Sequence, residues 1–354
     1  MKSNKRIKYI DIARGIAMFL IVLGHAISSS SSHAYPIYRI IYFINVPIFF
    51  VLSGYMLRIK ERESFFEFLK NKFLRIMLPY FFWALVFLIP YFILGQDVAD
   101  ELSRKSSFNI WEQIGNVLYG NGVNNALKQN SPLWFLPALF STEVIFYCIV
   151  YSLKSKKMET ITFIATLLIG FSCTFFAKDF YLPWGLNSAL TIGCFFYFGY
   201  LLKKWRIFEK LETKQSNTGL FVACIVLCGL AIYFNGPESI GWQSYKYQNY
   251  FLTITAGMTS ALAIILLSKG IDNNKTIECI GRNTMSVLIF HKLIVVITQT
   301  KLGVFSKLLM NSDFLLEICL ALVTSVVATI ISILIGLMLR RIIPWSIGEQ
   351  KKCT

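Results

Sequence analysis

Apolar residues in this chain come in blocks about twenty residues long, and that constrains the fold more than any other feature. A helix of about 20 apolar residues crosses the hydrocarbon core of a bilayer. Lipid offers no hydrogen bonds, so a helix, which pairs its own N–H and C=O groups, is the natural spanning element. Ten blocks are read, at roughly 10–29, 37–57, 76–95, 132–152, 159–177, 187–203, 217–234, 249–268, 283–300 and 314–340. The last is long enough to span with tilt. The chain has 354 residues, is 55% hydrophobic and carries 31 phenylalanines, which a soluble domain of this size rarely matches. The expected fold is all-α: a polytopic bundle of about ten transmembrane helices, one domain over 1–354, in the cell membrane.

The formal charge of +16 would suit nucleic acid, but its placement argues against that partner. Lys and Arg collect in every second loop: Arg58, Lys60, Arg62, Lys70, Lys72 and Arg75, then Lys154, Lys156 and Lys157. Further along come Lys203, Lys204, Arg206, Lys210 and Lys214, then Lys269, Lys275 and Arg282, with Arg340, Arg341, Lys351 and Lys352 in the tail. The alternate loops are poor in both, so the positive-inside rule puts both termini in the cytoplasm. The basic start leads straight into the first span, and no cleavable signal peptide is expected. Eight scattered cysteines show neither C-x-x-C nor metal-ligand spacing, so they read as small buried hydrophobes and no metal is expected.

Two loops stand out. Residues 58–75 alternate charge with Phe65, Phe66, Phe68 and Phe73, as an amphipathic helix on the inner leaflet would. Residues 96–131 form the longest outer loop, with Trp111, Tyr119 and a run of Asn and Gly. They fit a sugar-contacting lid and a plain solvated connection equally. No fixed-period repeat is apparent, so a repeat-built transporter has no positive support.

The first span carries the costliest residues. Asp11, Arg14 and His25 lie in one apolar block. Eleven helical steps bring Arg14 and His25 within about 20° of the same face and roughly 16 Å apart along the axis. Asp11, three residues before Arg14, shares that face and can pair with it. Ionisable groups inside a span mark a functional site by default, although an interfacial anchor pair with a rim histidine would read the same way.

From Arg14-x10-His25 onward the chain resembles the membrane acyltransferase-3 family. The resemblance is carried by Phe49-Phe50-Val51-Leu52-Ser53-Gly54-Tyr55, by Lys72-Phe73-Leu74-Arg75 with Pro79-Tyr80, by Pro132-Leu133-Trp134-Phe135-Leu136-Pro137, and by Gly281-Arg282-Asn283-Thr284 ahead of His291. The last two features look most like the fucose 4-O-acetylase-like branch. Family members often carry an appended hydrolase-like domain; these residues hold none, so the activity is expected from the bundle itself.

The resemblance implies transfer of an acyl group, usually acetyl from acetyl-CoA, to a hydroxyl of a cell-surface polysaccharide or lipid-linked glycan. The expected partners are acyl-CoA, a glycan or glycolipid acceptor and membrane lipids. The stripe suits that chemistry on its own terms. A permanently charged guanidinium holds CoA phosphates, and imidazole, titrating near neutrality, can take a hydroxyl proton. His25 and Arg14 are therefore the catalytic candidates, with His25 as general base or as the site of a transient acyl-histidine; direct transfer is favoured. Donor or acceptor contacts are assigned to Asp11, Arg75, Ser53, Glu143 and His291. Asp11 could equally anchor, Glu143 be a structural carboxylate, and Ser53-Gly54 serve close helix packing. The competing function is an exporter of a polysaccharide, glycolipid or small molecule.

Overall fold

The computed structural model describes residues 7–27, 34–58, 63–90, 109–120, 127, 129–153, 155–176, 180–211, 214–271, 274–301 and 314–349. His33 and most of the outer loop 96–131 lie outside them. The major helices are α1 Lys8–Ala26, α2 Tyr35–Met56, α3 Phe65–Lys72, α4 Leu78–Val86, α5 Ile110–Tyr119, α6 Phe135–Ser152 and α7 Lys156–Phe176. They continue with α8 Leu186–Lys204, α9 Lys214–Phe234, α10 Tyr250–Gly270, α11 Lys275–Arg282, α12 Thr284–Lys301 and α13 Phe314–Ile342. There is no β-strand among the described residues.

Every expected block carries a helix. Among the described residues eight helices are long and apolar enough to cross a membrane, or nine if α11 and α12, bent by 85° at their junction, are counted as one broken span. The third block departs from a plain span at its start. Pro79 has no N–H, and its ring would meet the carbonyl of Arg75. Upstream of it the helix widens into a π-helical turn, Phe73–Met77, closed by the Leu78 N–H on the Phe73 carbonyl. The segment before it begins at Ser64, whose side chain caps the Glu67 N–H while Glu67 caps back, and Phe66 stands exposed on the helix that follows.

Exposure separates the helices by role. Only 11% of the α7 window and 22% of the α9 window is buried, against 61% for α1 and α2 and 67% for α10. Ile161, Ile164 and Leu168 on α7, and Val222, Ile225 and Leu230 on α9, present apolar faces that hydrocarbon suits and water does not. Within α13, Thr324 donates to the Leu320 carbonyl at 2.8 Å, and Ser332 to that of Ala328 at 2.7 Å.

The chain gathers into two compact units, 1–57 with 195–241 and 246–334, and 58–194 with 242–245 and 335–354. In the first, helices meet backbone to backbone at glycines. A Cβ on Gly54 would lie 1.8 Å from the Phe196 carbonyl oxygen, and one on Gly199 would lie 1.9 Å from that of Val51. Gly54 of the Ser53-Gly54 pair thus serves close approach between α2 and α8. Gly257 on α10 makes room for Pro47, the proline inside α2. Gly54→Ala is expected to destabilise the protein by about 1–3 kcal/mol. Gly219→Ala, at a position with nothing within 4 Å, should raise stability slightly. Thermal unfolding of the two variants in detergent checks the contrast.

Candidate active site

The first unit holds Asp11, Arg14, His25, Ser53 and His291; the second holds Arg75 and Glu143. α1 runs unbroken from Lys8 to Ala26, so the spacing of Arg14 and His25 along one face is realised as expected. Both side chains are half-buried. α2 returns antiparallel beside α1. The Tyr9 and Tyr55 hydroxyls lie 2.9 Å apart near one end, and the His25 and Tyr42 ring centroids lie 6.4 Å apart near the other. Ser53 is eleven residues past Tyr42, as Arg14 is eleven before His25. Ser53 therefore stands at about the depth of Arg14.

The structure brings the two intramembrane histidines together. The ring centroids of His25 and His291 are 5.2 Å apart, with the planes tilted by 41°. His291 is fully buried. Its Nδ1 lies 2.7 Å from the Val287 carbonyl oxygen, one turn earlier on α12. A carbonyl only accepts, so Nδ1 carries the proton and Nε2 keeps the lone pair in the neutral ring. Nε2 has no hydrogen-bond partner among the described residues. A buried acceptor without a donor is costly, which makes this nitrogen a place for a hydroxyl or an N–H. The pair is pinned nearby, where Gln299 of α12 donates to the Ala26 carbonyl at the end of α1, at 2.6 Å.

At the other end of α1, the half-helix α11 lies against the stripe. Asn274 caps its start through the Ile277 N–H, and Asn283 ends it, donating to the Cys279 carbonyl at 2.8 Å. Two glycines allow the contact. A Cβ on Gly15 would lie 2.1 Å from the Ile277 carbonyl oxygen, and one on Gly281 would lie 1.8 Å from that of Asp11. The approach sets Arg282 between two carboxylates. It pairs with Glu278 one turn back, and its Nε stands 3.8 Å from Asp11 Oδ2. Asp11 is buried at 2% exposure, and this guanidinium beside it accounts for a carboxylate at that depth. The sequence reading treats Arg282 as loop charge; Gly281 and Asn283, a helix-ending pair, were the signal for its place.

In the second unit Glu143 is buried on α6 and paired with Lys72 at 2.6 Å. Lys72 also lies over the Phe68 ring, 5.5 Å from its centroid. Arg75 is exposed on the π-helical turn that Pro79 imposes. Part of the long loop is folded as α5. Tyr119 on it donates to the Tyr181 carbonyl at 2.6 Å, and Trp184 donates to that of Leu118 at 3.1 Å.

The family model of the acyltransferase-3 domain matches residues 7–337, from just before α1 to within the last turns of α13. The chain belongs to the acyltransferase-3 family. It is a multi-pass membrane acyltransferase. No curated relative and no solved structure matches it. The match is to the acyltransferase-3 family as a whole and does not single out the fucose 4-O-acetylase-like branch.

Within this acyltransferase the Lys72–Glu143 pair makes a stability claim. Glu143 is nearly enclosed and Lys72 is a quarter exposed, so each shields the other from an unpaired charge. Lys72→Met and Glu143→Gln are expected to be non-additive by about 0.5–3 kcal/mol in a double-mutant cycle. Thermal unfolding of the four proteins measures the coupling, and additive losses would contradict it.

Proposed function

We propose that this acyltransferase moves an acetyl group from acetyl-CoA to a hydroxyl of a cell-surface polysaccharide or lipid-linked glycan, with His25 as general base. The observation that carries this is the meeting of His291 with His25, which lies on the helix that also bears Arg14. In the reaction the acceptor oxygen attacks the thioester carbonyl carbon, and a C–O bond forms as the C–S bond breaks. His25 takes the hydroxyl proton as attack develops and passes it to the departing CoA sulfur, which leaves as the thiol. His291 Nε2 accepts a hydrogen bond from the acceptor hydroxyl or from His25, and holds that donor in line.

Arg14 binds the anionic part of the donor near its own end of α1. The roughly 16 Å to His25 is spanned by the pantetheine arm, with Ser53 at the level of Arg14. Asp11, held by Arg282, fixes the depth of that end and orients Arg14. Transfer is direct, without an acyl-enzyme. Export is the second reading, and the observation behind it is the 85° break between α11 and α12, since discontinuous helices line many transport sites.

Labelled acetyl-CoA, added to membranes with matched amounts of wild type, His25→Ala or Arg14→Ala, separates the readings. Label is followed into polysaccharide and glycolipid. His25→Ala is expected to lower transfer by about a hundredfold or more. Arg14→Ala should mainly raise the KM for acetyl-CoA. Transfer by His25→Ala at the wild-type rate overturns the base assignment. Unchanged acylation with impaired glycan export would favour transport.

A further inference from the structure

The outer end of α2 carries a cation that the reaction at His25 does not use. Arg39 stands one turn before Tyr42, whose ring lies 6.4 Å from the His25 ring. The guanidinium reaches α9 and donates through Nη2 to the Ile232 carbonyl at 2.5 Å. That uses one of the five N–H donors a guanidinium has. Its Nε is enclosed and has no hydrogen-bond partner among the described residues, and no carboxylate there forms an ion pair with it. Glu238, the acidic residue of the connector after α9, is exposed.

Beside this charge α9 ends in a fixed corner. Asn235 follows its last residue, and Gly236 turns the chain at φ +100°, which favours glycine. The Tyr35 hydroxyl accepts the Ser239 N–H at 2.7 Å and ties the connector to the outer end of α2. Asn235 is 4% exposed. Its Oδ1 accepts the Asn249 N–H at 3.2 Å. A backbone N–H only donates, so that atom is the oxygen, and Nδ2 lies on the other side of the amide. Nδ2 has no hydrogen-bond partner among the described residues. Helix carbonyls point toward the C-terminus, so the bond to Ile232, three residues earlier, brings the guanidinium to the level of Asn235.

An arginine that only caps a helix needs one N–H, and one that only snorkels turns its other nitrogens to water. Neither accounts for two enclosed donors, one on α2 and one at the end of α9, that lack an acceptor. An oxyanion satisfies both and supplies the missing counter-charge. We infer that Arg39 and Asn235 form an anion subsite for the acceptor, which takes a carboxylate or phosphate carried by the glycan. The planar guanidinium matches the paired oxygens of either group. Arg39 lies about 5 Å along α2 from Tyr42, on the side away from the Arg14 end of α1. A charged substituent anchored there leaves a hydroxyl of the same or the next sugar at His25. The site therefore selects an acidic glycan over a neutral one. The inference rests on the reading of His25 as the place where the acceptor reacts.

The test is binding, which needs no turnover. The full-length protein in phosphatidylcholine nanodiscs is melted with digalacturonate or glucose 1-phosphate. Each is set against a neutral counterpart, digalacturonate dimethyl ester or methyl glucoside, and inorganic phosphate is added separately. At least one acidic sugar should raise Tm at about tenfold lower concentration than its counterpart, as a charge-assisted hydrogen bond gives. Arg39→Gln should abolish that difference. Because Arg39 also holds the end of α9, Asn235→Asp is the second variant, and it keeps that bond. It sets a carboxylate beside the guanidinium, so it should raise Tm without ligand and remove the response to acidic sugar. The subsite is overturned if acidic and neutral sugars act alike, or if Asn235→Asp responds as wild type does. It is also overturned if inorganic phosphate alone matches the acidic sugars, or if only phosphatidylglycerol in the nanodisc protects through Arg39, which would mark a lipid headgroup site. If acidic sugars bind through Arg39 while labelled acetyl reaches no glycan in the membrane assay, the subsite stands and the transfer reading falls.

Discussion

A charged or strongly polar side chain inside hydrocarbon has to be enclosed by protein, and α1 carries three such side chains on one stripe. Much of the first unit can be read as the enclosure. α2 covers the stripe on one side. At the Asp11 end the half-helix α11 closes over it, close enough that backbone meets backbone at Gly15 and Gly281. At the His25 end α12 contributes the buried His291 and the Gln299 bond to Ala26. A side chain larger than hydrogen at either glycine would push α11 away and leave Asp11 without Arg282. The two glycines therefore act on the polar stripe although neither carries a functional group.

The same constraint orders the rest of the chain. Helices with mostly exposed apolar faces, such as α7 and α9, meet lipid, while α1, α2, α10 and much of α12 face protein. Thr324 and Ser332 on α13 bond to their own helix, and Arg39 turns to a late carbonyl of α9. His291 Nε2 is among the buried polar atoms with no hydrogen-bond partner among the described residues. Its place beside the His25 ring makes it informative, because an acceptor is left open next to the other intramembrane histidine.

The spans were legible because a bilayer imposes one length on every crossing helix, and the ends agree to within a few residues at α1, α2, α6 and α10. The Arg14–His25 stripe was legible for the same reason, since periodicity fixes faces on a helix that does not break. What periodicity does not carry is the partner on a distant helix. Lys72 with Glu143, Arg282 with Asp11, and His25 with His291 join residues up to 271 positions apart, and no spacing rule reports such a pair. The bend after α11 was foreshadowed by Gly281 and Asn283, and the π-helical turn by Pro79; both depend on local backbone chemistry that hydropathy averages away.

In the proposed reaction one helix holds the donor's phosphates at one end and presents a base to the reacting carbon at the other. A structure of the protein with CoA bound tests it most directly. The phosphates should lie by Arg14, with the thiol near the His25 and His291 imidazoles. CoA bound with its phosphates away from Arg14, or with its thiol remote from His25, would contradict the arrangement.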